Sequence, residues 1–156
     1  ASAQAKRASM SNQLKTKLGK NNECYTPKWI FEKLNLQFDL DVCSSHEVQH
    51  VPCINRYTIE NDGLTQPWYG NVWMNPPFSK PLPWVEKFIE HANGIALLPT
   101  STGKWQLKIW NDINAKWVML EPMKFDGYKT TLPTRCYLIG IGQKNIEALN
   151  NFGIVR

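Results

Sequence analysis

The sequence predicts an α/β fold: three layers, with a mostly parallel central sheet, helices on both faces and an antiparallel strand near the carboxyl end. Three observations predict it. Short apolar runs alternate with stretches in which apolar residues return every three or four positions. One run, GIALLP, is apolar almost throughout, as in a strand covered on both faces. And 156 residues, 42% of them hydrophobic and 20% charged, suit one domain with a substantial core.

The elements follow in order. YTPKWIFEKLNL (25–36) reads as a turn and a helix, with Thr26 as N-cap, Pro27 at the first helical position, and Trp29, Ile30, Phe31 and Leu34 on the apolar face. FDLDV (38–42) is a short strand. Residues 43–70 carry Pro52, Gly63, Pro67 and Gly70 and no sustained period, which predicts loops with at most one short strand or helical turn. GNVWM (70–74) is the next strand, and PLPWVEKFIEHAN (81–93) a helix whose prolines fall only at its start. GIALLP (94–99) is a strand, STGKWQLKIWNDIN (101–114) a helix burying Trp105, Ile109 and Ile113, and AKWVMLEP (115–122) a strand. MKFDGYKT (123–130) holds a D-G turn signal, TRCYLIGIG (134–142) is a late strand suited to antiparallel pairing, and QKNIEALNNFG is a short helix closed by glycine. Of the seven tryptophans, Trp29, Trp73, Trp84 and Trp110 read as packing, while Trp68 and Trp105 lie near strand ends, where core is still the better reading.

The formal charge of +5 is concentrated at one end. Residues 1–22 hold Lys6, Arg7, Lys15, Lys17 and Lys20 and no acid, so the rest of the chain is balanced. This divides the chain into a flexible basic tail (1–22) and one folded domain (23–156). Such an arm either holds nucleic acid through phosphate contacts or is simply solvated. No apolar run approaches the ~20 residues of a membrane span, and no secretory leader is visible. Four dispersed cysteines without a C-x-x-C pair fit reduced thiols, and together these features predict a cytoplasmic protein.

In open α/β sheets ligands gather beyond the carboxyl ends of the strands, which here are polar: 41–45, 75–79 and 99–102. The second is distinctive. NPPF follows an apolar strand, and Pro76 and Pro77, lacking N–H groups, end the ladder and carry the chain out in one extended shape. Asn75 then offers a side-chain carbonyl and Pro76 a backbone carbonyl with no obligatory partner, a rigid pair able to accept both hydrogens of an NH2 group. Phe78 offers a flat face beside them. Accepting both hydrogens localises the lone pair of a conjugated amine, which activates it without a strong base. NPP followed by an aromatic arises on the order of once in a thousand chains of this size at average usage, so a chance proline-rich turn is the weaker reading.

Read together, YTP, FDLDVCSS, NDGL, WYGNVWMNPPF and LLPTSTGKW resemble the phage-type Dam-like DNA N6-adenine methyltransferases over nearly all of residues 23–142. The resemblance implies a compact Rossmann-like methyltransferase fold, S-adenosyl-L-methionine as cofactor, DNA as partner, a monomer or weak dimer, and a phage or prophage origin. It implies that Asn75, Pro76, Pro77 and Phe78 bind and activate the target adenine. Tyr25, Thr26 and Pro27 would line the methionine end of the cofactor, Asp41 would face its amino group, and Asp62 with Leu64 would border its adenine. The chain departs from the pattern in having VCSSHE where many methyltransferases place a glycine-rich turn. It also has little room for a strand with a ribose-binding acid, leaving Glu47 and Glu60 as candidates, and it shows no obvious target-recognition insertion, so that sequence specificity is either weak or carried by loops such as 79–84 and 123–134.

Other readings compete. Cys43, His46, His50 and Cys53 fall within eleven residues, yet structural zinc sites usually pair ligands across a longer loop, and the expectation is no metal. The NH2 grip also suits an RNA base or a protein glutamine, and the same fold without turnover would be a DNA-binding protein.

Overall fold

The computed structural model describes residues 26–46, 50–124 and 135–156; the basic tail, Tyr25, Glu47 and the D-G turn signal lie outside them. The elements are α1 (Lys28–Leu34), β1 (Phe38–Asp41), β2 (Cys53–Arg56), β3 (Val72–Met74), α2 (Leu82–His91), β4 (Gly94–Pro99), α3 (Lys104–Trp110), β5 (Lys116–Met119), β6 (Cys136–Ile141) and α4 (Gln143–Leu149), with a 3-10 turn at Asn150–Phe152. The six strands form one mixed sheet in the order β2-β1-β3-β4-β6-β5. Strands β2, β1, β3 and β4 pair in parallel, and β6 runs antiparallel to both β4 and β5. A single reversed strand is therefore inserted among five that run together, as the late position of TRCYLIGIG predicts.

The alternation of side chains along the strands builds two cores. Trp73, Ile95, Leu97 and Leu138 face α1 and α4, where they meet Ile30, Phe31, Leu34 and Leu149. Val72, Met74, Ala96, Leu98 and Ile139 face α2 and α3, where they meet Trp84, Phe88 and Ile109. Helices thus cover both faces, and the middle strands are apolar on each side. Strand β1 breaks the alternation. The amides of Asp39 and Leu40 both donate to the Asn71 carbonyl, at 2.8 and 3.4 Å, so two residues of β1 oppose one of its neighbour. Phe38 consequently joins the α1 core and Leu40 the α2 core.

Several local expectations are corrected. Pro27, not Thr26, is the N-cap of α1, with φ −60 and ψ 142, and no side chain caps the helix. Trp29 is 43% exposed, leaning on Phe152 with ring centroids 6.3 Å apart, because the inward stripe of this short helix is filled by Ile30, Phe31 and Leu34. The helix expected over 101–114 covers only Lys104–Trp110. At its start the Ser101 hydroxyl accepts from the Gly103 amide at 2.9 Å, and beyond its end Asp112 accepts from the Asn114 amide at 2.8 Å; both are side-chain turns that compete with the helix. Ile113 is therefore 88% exposed rather than buried. Trp110 is 56% exposed, edge-on to Trp117 at 5.3 Å, whereas Trp73 and Trp84 are core as expected. Residues 82–84 of the anticipated 79–84 loop already belong to α2.

Among the described residues no helix is long and apolar enough to cross a membrane.

Candidate active site

The chain leaves β1 for the edge strand β2 and then returns to β3 on the other side of β1. Strand order therefore reverses at the carboxyl ends of β1 and β3, the position beside which open α/β sheets generally bind ligands. Asp41 closes β1 opposite Trp73, and the Val42 amide still reaches the Trp73 carbonyl at 3.1 Å. Asn75 follows directly on β3.

Asp41 is 3% exposed. Its carboxylate accepts the Cys43 amide at 3.1 Å, a turn that takes the chain off the strand, while its backbone carbonyl accepts from Tyr57 at 2.8 Å. Burial first, and the Asp41 carboxylate second, push the Cys53 thiol above its ordinary value.

Asn75 is 7% exposed, as expected for a group with a fixed task. Its Nδ2 donates to the Thr26 hydroxyl at 3.1 Å, a contact between residues 49 apart in sequence. Thr26 therefore orients the asparagine amide instead of capping α1. The bond engages the nitrogen end and leaves Oδ1 as an acceptor. Neither Asn75 Oδ1 nor the Pro76 carbonyl accepts a hydrogen bond from any described residue. Pro76 and Pro77 are buried and Phe78 is half-buried, so one part of the ring is covered and another accessible.

The turn containing Asp62 and Leu64 is seated against the end of β1. A Cβ on Gly63 would lie 2.0 Å from the Val42 carbonyl oxygen, a separation no side chain tolerates. Asp62 has a φ of 53, its backbone carbonyl accepts the Thr65 amide at 2.9 Å, and its Oδ1 is buried with no partner among the described residues. An orphaned, buried carboxylate oxygen at a strained residue marks a place built to receive a donor. Trp68, half-buried, donates its Nε1 to the Gly63 carbonyl at 2.8 Å and so supports this turn, while Trp105 is core. Gly63→Ala is expected to lower the stability by about 1–3 kcal/mol, read from urea denaturation. Unchanged denaturation would mean that the turn does not rest on the strand.

The structure therefore brings Thr26 and Pro27 to Asn75, and Asp62 and Leu64 to the end of β1. Glu60 is differently placed: it is exposed, accepts from the Thr58 hydroxyl at 2.8 Å and pairs with His46 at 2.5 Å. The Thr58 hydrogen bond chiefly, and His46 more weakly, hold its carboxyl below the usual range. Among the described residues no three His, Cys, Asp or Glu side chains are grouped to hold a metal ion. Gly63, the residue that seats the turn, was not singled out from sequence, although the N-D-G triplet is a turn signal.

Residues 13–118, more than half of the chain, match the family profile described as DNA N-6-adenine-methyltransferase (Dam). The chain belongs to the Dam family. A DNA N-6-adenine-methyltransferase of Haemophilus phage HP1 (strain HP1c1) is 36% identical over 88 residues, which cover 53% of this chain and 50% of that relative. The chain thus spans about half the length of the Dam relative it matches. The resemblance carried by NDGL, NPPF and their neighbours points to the same family.

Proposed function

We propose that the protein is an S-adenosyl-L-methionine-dependent methyltransferase that methylates N6 of adenine in DNA, on a Rossmann-like sheet. One observation carries the reading: at the end of β3, beside the strand reversal, the Asn75 amide is oriented by Thr26 while its Oδ1 and the Pro76 carbonyl stay uncommitted.

The chain's residues fit the cofactor. The partnerless Oδ1 of Asp62 is an acceptor for an exocyclic amine, with Leu64 providing apolar contact beside it. The buried carboxylate of Asp41 suits a cationic amino group, and Thr26 and Pro27, both buried, suit the wall beside it that the resemblance also assigns to Tyr25. When bound, S-adenosyl-L-methionine supplies a sulfonium methyl group open to attack by a nucleophilic nitrogen.

An adenine in duplex DNA must leave the helix before its amino group is accessible. Phe78 then stacks on the extruded base, a contact of about 1–3 kcal/mol. Asn75 Oδ1 and the Pro76 carbonyl accept the two N6 hydrogens, drawing the nitrogen toward a pyramidal shape with its lone pair directed at the methyl group. Transfer of the methyl group would leave S-adenosyl-L-homocysteine and place positive charge on N6, which the same two oxygens would stabilise, so that the proton would pass afterwards to water without a dedicated base. The buried prolines keep the two acceptors from relaxing toward one another. The basic tail 1–22 holds the DNA by its phosphates, and the enzyme works as a monomer or weak dimer in the cytoplasm of a phage-bearing bacterium.

Transfer of a tritiated methyl group to unmethylated DNA, followed by nucleoside analysis, tests the reading. Label in N6-methyldeoxyadenosine is expected. Label in RNA or in protein glutamine would move the substrate, and binding of cofactor and DNA without transfer would leave a binding protein.

A further inference from the structure

Helix α2 begins a few residues after NPPF and carries a lysine with an unusual assignment. Lys87 Nζ donates to two backbone carbonyls of the neighbouring turn, Leu64 at 2.9 Å and Gln66 at 2.5 Å. It also lies 5.3 Å from the centre of the Trp68 ring, whose own Nε1 holds the Gly63 carbonyl. Burial lowers the Lys87 pKa against weaker pulls from Glu90 and then Asp62, and the Asp62 side chain forms no hydrogen bond with Lys87 or with any other described residue. Here the carbonyls have taken the donors, and the carboxylate oxygen remains uncommitted.

We propose that Lys87 is the positioning residue of the cofactor half-site: its ammonium fastens the Asp62–Gln66 turn to α2 by carbonyl contacts, so that Asp62 is held in place while its acceptor stays available. This rests on the reading of Asp62 as the adenine-facing acid. Because α2 begins at Leu82, shortly after Phe78, the helix that holds the turn through Lys87 also follows closely on the target-base motif in the chain. A lysine on the polar side of an amphipathic helix carries no sequence signal of such a task.

The test uses the full chain and the variants Lys87→Met and Lys87→Arg. Lys87→Met keeps the stem that covers Trp68 and removes the donors. In the ligand-free protein, amide hydrogen exchange of residues 62–66 is expected to accelerate about tenfold or more, with helices α1 and α4 unchanged. With S-adenosyl-L-methionine the KM is expected to rise on the order of tenfold and kcat to change less than threefold. S-adenosyl-L-homocysteine, titrated by calorimetry without DNA, should weaken in parallel, and Lys87→Arg should recover part of each effect. Unchanged exchange at 62–66 would overturn the fastening, and unchanged KM and S-adenosyl-L-homocysteine affinity would overturn the positioning role. A general rise in exchange with a lowered Tm and no change in KM would likewise overturn it, as that is what a purely structural lysine does. Should wild type bind neither S-adenosyl compound while the local exchange effect appears, the fault would lie with the cofactor reading and not with the Lys87 contact.

Discussion

Asn75→Ala is expected to reduce methyl transfer to DNA by about 10²–10³-fold or more, the usual cost of removing one group that stabilises transition-state charge. Two losses combine. The adenine amino group loses one of its two acceptors, so its nitrogen stays conjugated, and Thr26 loses the donor that ties α1 to the end of β3. Binding of S-adenosyl-L-methionine should stay within a few-fold of wild type, because Asp62 and Leu64 are seated through Gly63 on a different strand end. Single-turnover transfer, with the cofactor Kd measured separately, distinguishes the two. A variant that transfers methyl at wild-type rate would remove Asn75 from the chemistry and with it the proposed activation of N6.

The second large effect is expected at Trp73, two residues before Asn75. This side chain is 1% exposed and packs edge-on against Phe31, with centroids 4.7 Å apart, and against Phe38 at 5.7 Å. Trp73→Ala should cost about 3–5 kcal/mol, a large part of the stability of a domain this size. The loss should also reach the site. Trp73 is the contact through which β3 holds α1, and Thr26 and Pro27 enter that helix. At a temperature where the variant remains folded by circular dichroism, transfer should still fall, because Thr26 no longer orients the Asn75 amide. A variant as stable as wild type would show that this face of the sheet repacks freely; full activity in a destabilised variant would separate α1 from the site.

How far each feature was legible depended on where its cause lay. The middle strands were readable because they are buried on both faces, so composition alone betrays them, as in GIALLP. That NPPF ends a strand was readable because two prolines after an apolar run cannot continue the ladder. Strand β2 was harder: three of its four residues, Ile54, Asn55 and Arg56, are exposed at the sheet edge, and nothing in CINR alternates. Thr26 was picked out as a cap, since a threonine before proline and a helix favours that local role, and through the resemblance as a lining residue for the cofactor, but not as the partner of Asn75. Its actual partner, Asn75, lies 49 residues away and is visible only once the chain is folded. The overlong reading of α3 has a local cause, because Ser101 and Asp112 form side-chain turns that outcompete helix at both ends. Lys87 was illegible for the opposite reason: its role depends on the backbone carbonyls of another segment, whose residue types do not matter.

The doubled amide contact at Asn71 settles which way the acid of β1 points. Leu40 lies beside Val72 and Asp41 beside Trp73, so the carboxylate projects to the same side as α1 and the Thr26–Asn75 pair. Were the same residues to alternate regularly from Phe38, with one amide to each carbonyl, the pleat would carry Leu40 to the α1 side and Asp41 to the α2 side, away from Asn75. Asp39 helps to hold that irregular stretch, since its carboxylate accepts the Asn71 amide at 2.7 Å; the direction of the buried acid at 41 is therefore set two residues earlier, where the strand meets Asn71.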